Sequence, residues 1–149
     1  MYGADVNYLA VLIAGIAVQP VGFLWYGPLF GRPWRALKGI DPSKSDDAAA
    51  NPGPALAIGF VVALVEFWVL SNVFDWVGVV DIPHALCIAA LMWLGFVAPI
   101  VAMGVVFSDR ASFKLWLIDA GYQLAALLVA GLVIALFGPL GAAAEISVG

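Results

Sequence analysis

The chain has 149 residues, of which 64% are hydrophobic and 11% charged, with a net charge of −4 at pH 7. A soluble domain carries about a quarter charged residues, so this composition excludes a globule coated by its own polar surface in water. The six Lys and Arg are too few and too confined for a nucleic-acid footprint, and the one cysteine, Cys87, excludes an internal disulfide.

Four long apolar stretches follow one another along the chain. The first runs from about Val6 to Phe30. It lacks the basic start of a secretory signal and is too long for one, so it is expected to be retained as a span. Next comes Arg32-Pro-Trp-Arg-Ala-Leu-Lys38, which alternates basic and apolar residues over two turns. That pattern predicts a short helix lying in the membrane interface, with Trp34 and Leu37 dipping inward. In the polar run Asp41-Pro-Ser-Lys-Ser-Asp-Asp-Ala-Ala-Ala50, Asp41 can cap and Pro42 can start a brief surface helix. Asn51-Pro-Gly-Pro54 then breaks the chain and launches the second stretch, about Pro54 to Trp76. The third covers about Ile82 to Phe107 and the fourth about Phe113 to Phe137.

Each stretch exceeds the roughly 20 residues that cross a hydrocarbon core about 30 Å thick. Lipid leaves unpaired backbone groups unsatisfied, so each is expected to be a helix. The loops at Asp75–Asp81 and around Ser108–Arg110 are short, which makes consecutive helices antiparallel neighbours. The expected fold is all-α: an integral membrane four-helix bundle forming one domain over residues 1–149, with the short interfacial helix after span 1. Prolines at positions 20 and 99 are expected to bend spans 1 and 3.

The basic residues set the sidedness. Arg32, Arg35, Lys38 and Lys44 lie between the first and second stretches; Arg110 and Lys114 lie between the third and fourth. Lys and Arg concentrate on the cytoplasmic side of membrane proteins. The pattern therefore predicts a multi-pass protein of the bacterial inner membrane, with both basic loops cytoplasmic and both termini outside. Trp25, Tyr26 and Trp34 near the span ends read as interfacial anchors, with Trp76 and Trp116 in the same belts. Both halves run out–in–out with basic residues after Phe30 and Phe107, a hint of duplication.

Polar residues at depth are the best functional clues. At about 1.5 Å per residue, Gln19 lies about 19 Å from the outer end of span 1. Glu66 lies about 18 Å, and Gln123 about 15 Å, from the inner ends of their spans. These depths predict a mid-membrane polar layer of Gln19, Glu66 and Gln123. Asp119 sits one turn nearer the cytoplasm on the face of Gln123, and Tyr122 is a further contributor. The layer has two readings, interhelical hydrogen bonding or protonatable groups on an ion or substrate path.

Small residues recur at four-residue spacing: Ala55, Gly59 and Ala63 on span 2; Gly121 with Ala125, and Ala126 with Ala130, on span 4. Such rows let helices approach closely, and packing inside the bundle is favoured over a dimer seam. Asp81, His84 and Cys87 form a row on span 3, but three mixed ligands at a helix start make a poor zinc site, and an interfacial capping role is favoured. No catalytic triad, phosphate loop or paired catalytic carboxylates stand out. No catalytic residue, metal or cofactor is therefore assigned.

The block Trp25-Tyr-Gly-Pro-Leu-Phe-Gly31 lies within the run Gly22 to Trp34. Together with Asn7 and the segment Phe113–Gly131 containing Ile118-Asp-Ala-Gly-Tyr122, it resembles a family of small bacterial membrane proteins. That family is known as domain of unknown function seventeen sixty-one. The likeness covers nearly the whole chain and implies a four-helix integral membrane protein, with no activity attached. The expected function is non-enzymatic: an accessory or structural subunit of a membrane complex, or a self-associating protein. Its expected partners are the lipid bilayer and a membrane protein or another copy of the chain, with no nucleic acid. The alternatives are an oligomeric channel or proton-coupled transporter using the mid-membrane acids, and binding of a lipid, quinone or pigment between aromatic walls such as Trp68, Trp93 and Phe96.

Overall fold

A computed structural model of the chain describes residues 6–41, 43 and 52–137. Within them the backbone is helical, with no strand. Helix α1 (Tyr8–Leu24) continues through a π-helical turn (Trp25–Leu29) into α2 (Gly31–Lys38). Helix α3 (Gly53–Val77) follows. The third long element is α4 (Ile82–Met92), a second π turn (Trp93–Val97) and α5 (Ala98–Val106). Helix α6 (Phe113–Phe137) is the last. Four of these helices, counted through their π turns, are long and apolar enough to cross a membrane: Tyr8–Leu29, Gly53–Val77, Ile82–Val106 and Phe113–Phe137. The chain is thus an all-α, multi-pass membrane bundle with α2 as the short extra helix.

The helix ends are set by local chemistry. Asn7 caps α1 by accepting from the Ala10 amide at 3.1 Å. Its own amide donates to the Phe137 carbonyl at 2.6 Å, which ties the start of α1 to the end of α6. Asp81 caps α4 by accepting from the His84 amide at 2.7 Å, so this carboxylate is committed to the backbone. Helices α2 and α3 both stop at a left-handed glycine, Gly39 (φ 69°) and Gly78 (φ 71°), the conformation that closes a helix without Cβ strain. The Arg110 side chain lies against Gly39, so the two basic loops meet at one end of the bundle. Just beyond α2, the Ser43 amide and hydroxyl both donate to Asp41, at 2.9 and 2.7 Å. These bonds hold that carboxyl below its ordinary range. The surface helix expected over residues 41–50, and with it Lys44, falls outside the described residues apart from Asp41 and Ser43.

Helix α6 packs against α1, α3, α4 and α5. The core joins Val11, Ala14 and Val18 of α1 to Phe67, Leu70 and Phe74 of α3. Val79, Ala85, Ala89 and, on α6, Ala126, Leu127, Ala130, Ile134 and Ala135 complete it. All of these lie in the half of the bundle away from the basic loops. Packing there is close because small residues face large ones. A Cβ placed on Gly131 would stand 3.2 Å from the Ala89 Cβ and 3.4 Å from the Phe74 ring. The basic half is opened by aromatic side chains and by the two π turns. In each, a tryptophan carbonyl accepts from the amide five residues on: Trp25 from Phe30 and Trp93 from Ala98. Pro28 and Pro99 sit in or just after these turns and cannot donate to the helix ladder, and the wider turn accommodates them. Pro20, by contrast, lies inside α1, which continues as α-helix to Leu24.

The small-residue rows divide between inside and outside. On α6 they pack internally: Ala126 and Ala130 are buried, and Gly121 lies against the Trp25 ring. On α3 the expected internal packing holds at Ala63, which packs on the core, and fails at the other two. Ala55 and Gly59 are exposed, and a Cβ on Gly59 would meet nothing within 4 Å. The reason is rotation about the helix axis. The α1–α3 seam uses Gly15 on α1 against Phe60 and Leu64 on α3, and that row is turned by about 100° from Gly59 and Ala63.

Overpacking a tight seam costs about 1–3 kcal/mol. Gly131→Leu is therefore expected to lower the thermal unfolding temperature in detergent by several degrees. Gly95→Leu, at a position where a Cβ meets nothing within 4 Å, should leave it near wild type.

Candidate functional site

Three consecutive residues of α6 each receive an indole N–H from a different element. Trp25, opening the first π turn, donates to the Ile118 carbonyl at 2.9 Å. Trp34 on α2 donates to Asp119 Oδ1 at 2.8 Å. Trp93, opening the second π turn, donates to the Ala120 carbonyl at 2.7 Å. Successive helical residues are about 100° apart, so the three bonds leave α6 in three directions. Trp116 adds a return bond from α6 to the Ala98 carbonyl at 3.1 Å.

Asp119 is the polar centre of this girdle. Its Oδ1 also accepts from Tyr26 Oη at 3.0 Å. The Tyr26 ring meets Trp34 edge-on at 5.2 Å and Tyr122 at 5.1 Å, while Lys38 Nζ stands 5.0 Å over the Trp34 ring. Helix α2 is thus pinned to the bundle by a carboxylate it reaches through Trp34. Asp119 Oδ2 takes no hydrogen bond among the described residues, and it is not sealed from its surroundings. It borders a cavity of about 680 Å³ running from Arg110, Asp109 and Ser108 at the basic end down to Gln123.

A second cavity, of about 510 Å³, lies between α1 and α3 and is floored by α6. Gln19, Glu66 and Gln123 all line it, together with Tyr26, Tyr122 and the row Ala55, Gly59 and Ala63. The three residues matched by depth therefore border one groove, while Asp119 belongs to the other cavity. Tyr26 and Gln123 line both, so they form the wall between them. Within the groove, Gln19 Nε2 donates to the Gly15 carbonyl of its own helix at 3.0 Å. The Glu66 carboxyl takes no hydrogen bond among the described residues.

Trp25, Tyr26 and Trp34 make their hydrogen bonds to α6. Of the candidate aromatic walls, Trp68 and Phe96 are exposed and Trp93 donates to Ala120. Sequence reasoning missed the Trp93 bond, and it missed Lys38 and Arg110 as cavity residues. The available signal was a tryptophan shortly before a helix-breaking proline, at Trp25/Pro28 and at Trp93/Pro99.

A family model described as a protein of unknown function, DUF1761, matches residues 9–135. Comparison with the curated proteins and with the solved structures found no match.

Proposed function

The chain belongs to the DUF1761 family of unknown function, and on that footing we propose a non-enzymatic, self-associating protein of the bacterial inner membrane. In this reading two copies meet across the groove between α1 and α3. The carrying observation is the pair Ala55 and Gly59, exposed beside that groove, two turns and one turn before Ala63, which packs on the core. Small residues four apart let two membrane helices approach closely. An isologous pair places the same patch on both copies, so α3 of each copy can cover the groove of the other. That contact would also shield Glu66, whose carboxyl is costly when it faces lipid. The basic loops, which meet where Arg110 lies on Gly39, support cytoplasmic loops and outward termini by the positive-inside tendency.

The groove and the Asp119 cavity back onto each other through Tyr26 and Gln123, which supports a second reading as a proton-coupled carrier. There, Glu66→Gln should abolish proton-linked flux in liposomes, and unchanged flux would remove that reading. For sidedness, a protease added outside spheroplasts should remove a C-terminal tag and spare the chain at Arg35 and Lys38 until lysis. The reverse pattern would invert the topology. For self-association, Gly59→Leu should leave the monomer fold intact, since its Cβ meets nothing within 4 Å. It should weaken dimerisation, read by energy transfer between labelled copies in liposomes, by at least about tenfold. A wild-type monomer in lipid, or a variant that pairs as tightly as wild type, contradicts the proposal.

A further inference from the structure

We infer that the cavity beneath α2 binds a phosphoethanolamine group, with its ammonium on Asp119 and its phosphate on Lys38 and Arg110. Four charged residues line this cavity: Lys38, Asp109, Arg110 and Asp119. The two cations and two carboxylates cancel formally, but they are separated along its depth. Asp119 lies six residues into α6, about 9 Å below its start. Lys38, Asp109 and Arg110 stand at the mouth, where two cations outweigh one carboxylate. Lys38 rests on the Trp34 ring, and neither Lys38 nor Arg110 has an ion-pair partner among the described residues. A guest with only an anionic group would meet Asp119 at the floor. One with only a cationic group would meet two cations at the mouth. A net-neutral guest carrying both groups satisfies each end.

The floor specifies the cationic group further. Asp119 Oδ1 is filled by Tyr26 and Trp34, while Oδ2 is open to the cavity. That arrangement suits one more N–H donor, which a primary ammonium has and a quaternary ammonium lacks. At the mouth, the guanidinium fork of Arg110 matches the paired oxygens of a phosphate. The walls between are Val101, Gly104, Val105 and Leu115, which suit a short carbon chain. The same chemistry is offered by free O-phosphoethanolamine and by the headgroup of phosphatidylethanolamine.

The test is native mass spectrometry of the full chain from mixed micelles holding equal phosphatidylethanolamine and phosphatidylcholine. The ethanolamine lipid should be retained at least about tenfold over the choline lipid, since a charge-assisted hydrogen bond separates them. Asp119→Asn should remove that preference. Because Asp119 also holds α2, Gly104→Leu provides a second variant: a Cβ there meets nothing within 4 Å, so the added side chain enters the cavity while Asp119 itself is kept. It should abolish retention while circular dichroism stays unchanged. Added O-phosphoethanolamine should compete if the free molecule fits. Binding of O-phosphoethanolamine without lipid retention assigns the site to the free molecule. Equal retention of both lipids with no binding of O-phosphoethanolamine overturns the inference, as does a preference that survives both variants.

Discussion

Everything at the basic end depends on three indole N–H groups reaching Ile118, Asp119 and Ala120. In lipid there is no hydrophobic force to hold helices together, so packing and interhelical hydrogen bonds must do it. At the far end, packing suffices: glycine and alanine bring α6 close to α1, α3 and α4. At the basic end two cavities lie between the helices, and directional bonds add to the contacts that aromatic rings make with Gly22 and Gly121. Two of the three bonds use backbone carbonyls that already serve the α6 ladder and accept a second donor. The third uses a carboxylate, and that choice leaves one oxygen free beside a cavity.

The π turns explain how the donors reach their targets. Each opens with a tryptophan, and each widens the helix where a proline would otherwise disrupt it. The paired use of Trp25 and Trp93 on α6 gives the first and third long helices equivalent roles. That equivalence agrees with the duplication hinted at by the basic residues after Phe30 and Phe107, although the two proline positions differ by three residues relative to the tryptophan.

Much of the architecture was legible in the sequence, because lipid imposes a simple rule. A run of more than about 20 apolar residues has to satisfy its backbone internally, so the number of long helices and the short helix α2 followed from hydropathy and charge. Depth arithmetic grouped Gln19, Glu66 and Gln123 because rise per residue is nearly constant, and all three line the groove between α1 and α3. Rotation about the helix axis is different. In lipid both inward and outward faces are apolar, so periodicity does not say which face is buried. That ambiguity is why Ala55 and Gly59 were assigned to the interior along with Ala63, when only Ala63 packs on the core and the seam with Gly15 is made by Phe60 and Leu64. The expected interfacial anchors Trp25, Tyr26 and Trp34 also carry a second role invisible in the sequence, since their polar atoms bond to α6. An amphipathic ring near a span end can serve both purposes, and only the position of a neighbouring acceptor reveals the second.

The most direct test of the girdle is the indole N–H spectrum of the ¹⁵N-labelled protein in micelles, compared with that of Asp119→Asn. If Asp119 holds α2 through Trp34, the Trp34 indole resonance should move most. Its exchange with water should also quicken, while those of Trp68 and Trp76, which have no bond to α6, stay in place. A Trp34 resonance unmoved by the substitution would show that α2 is held by something else, and the carboxylate at the centre of the basic end would lose its structural role.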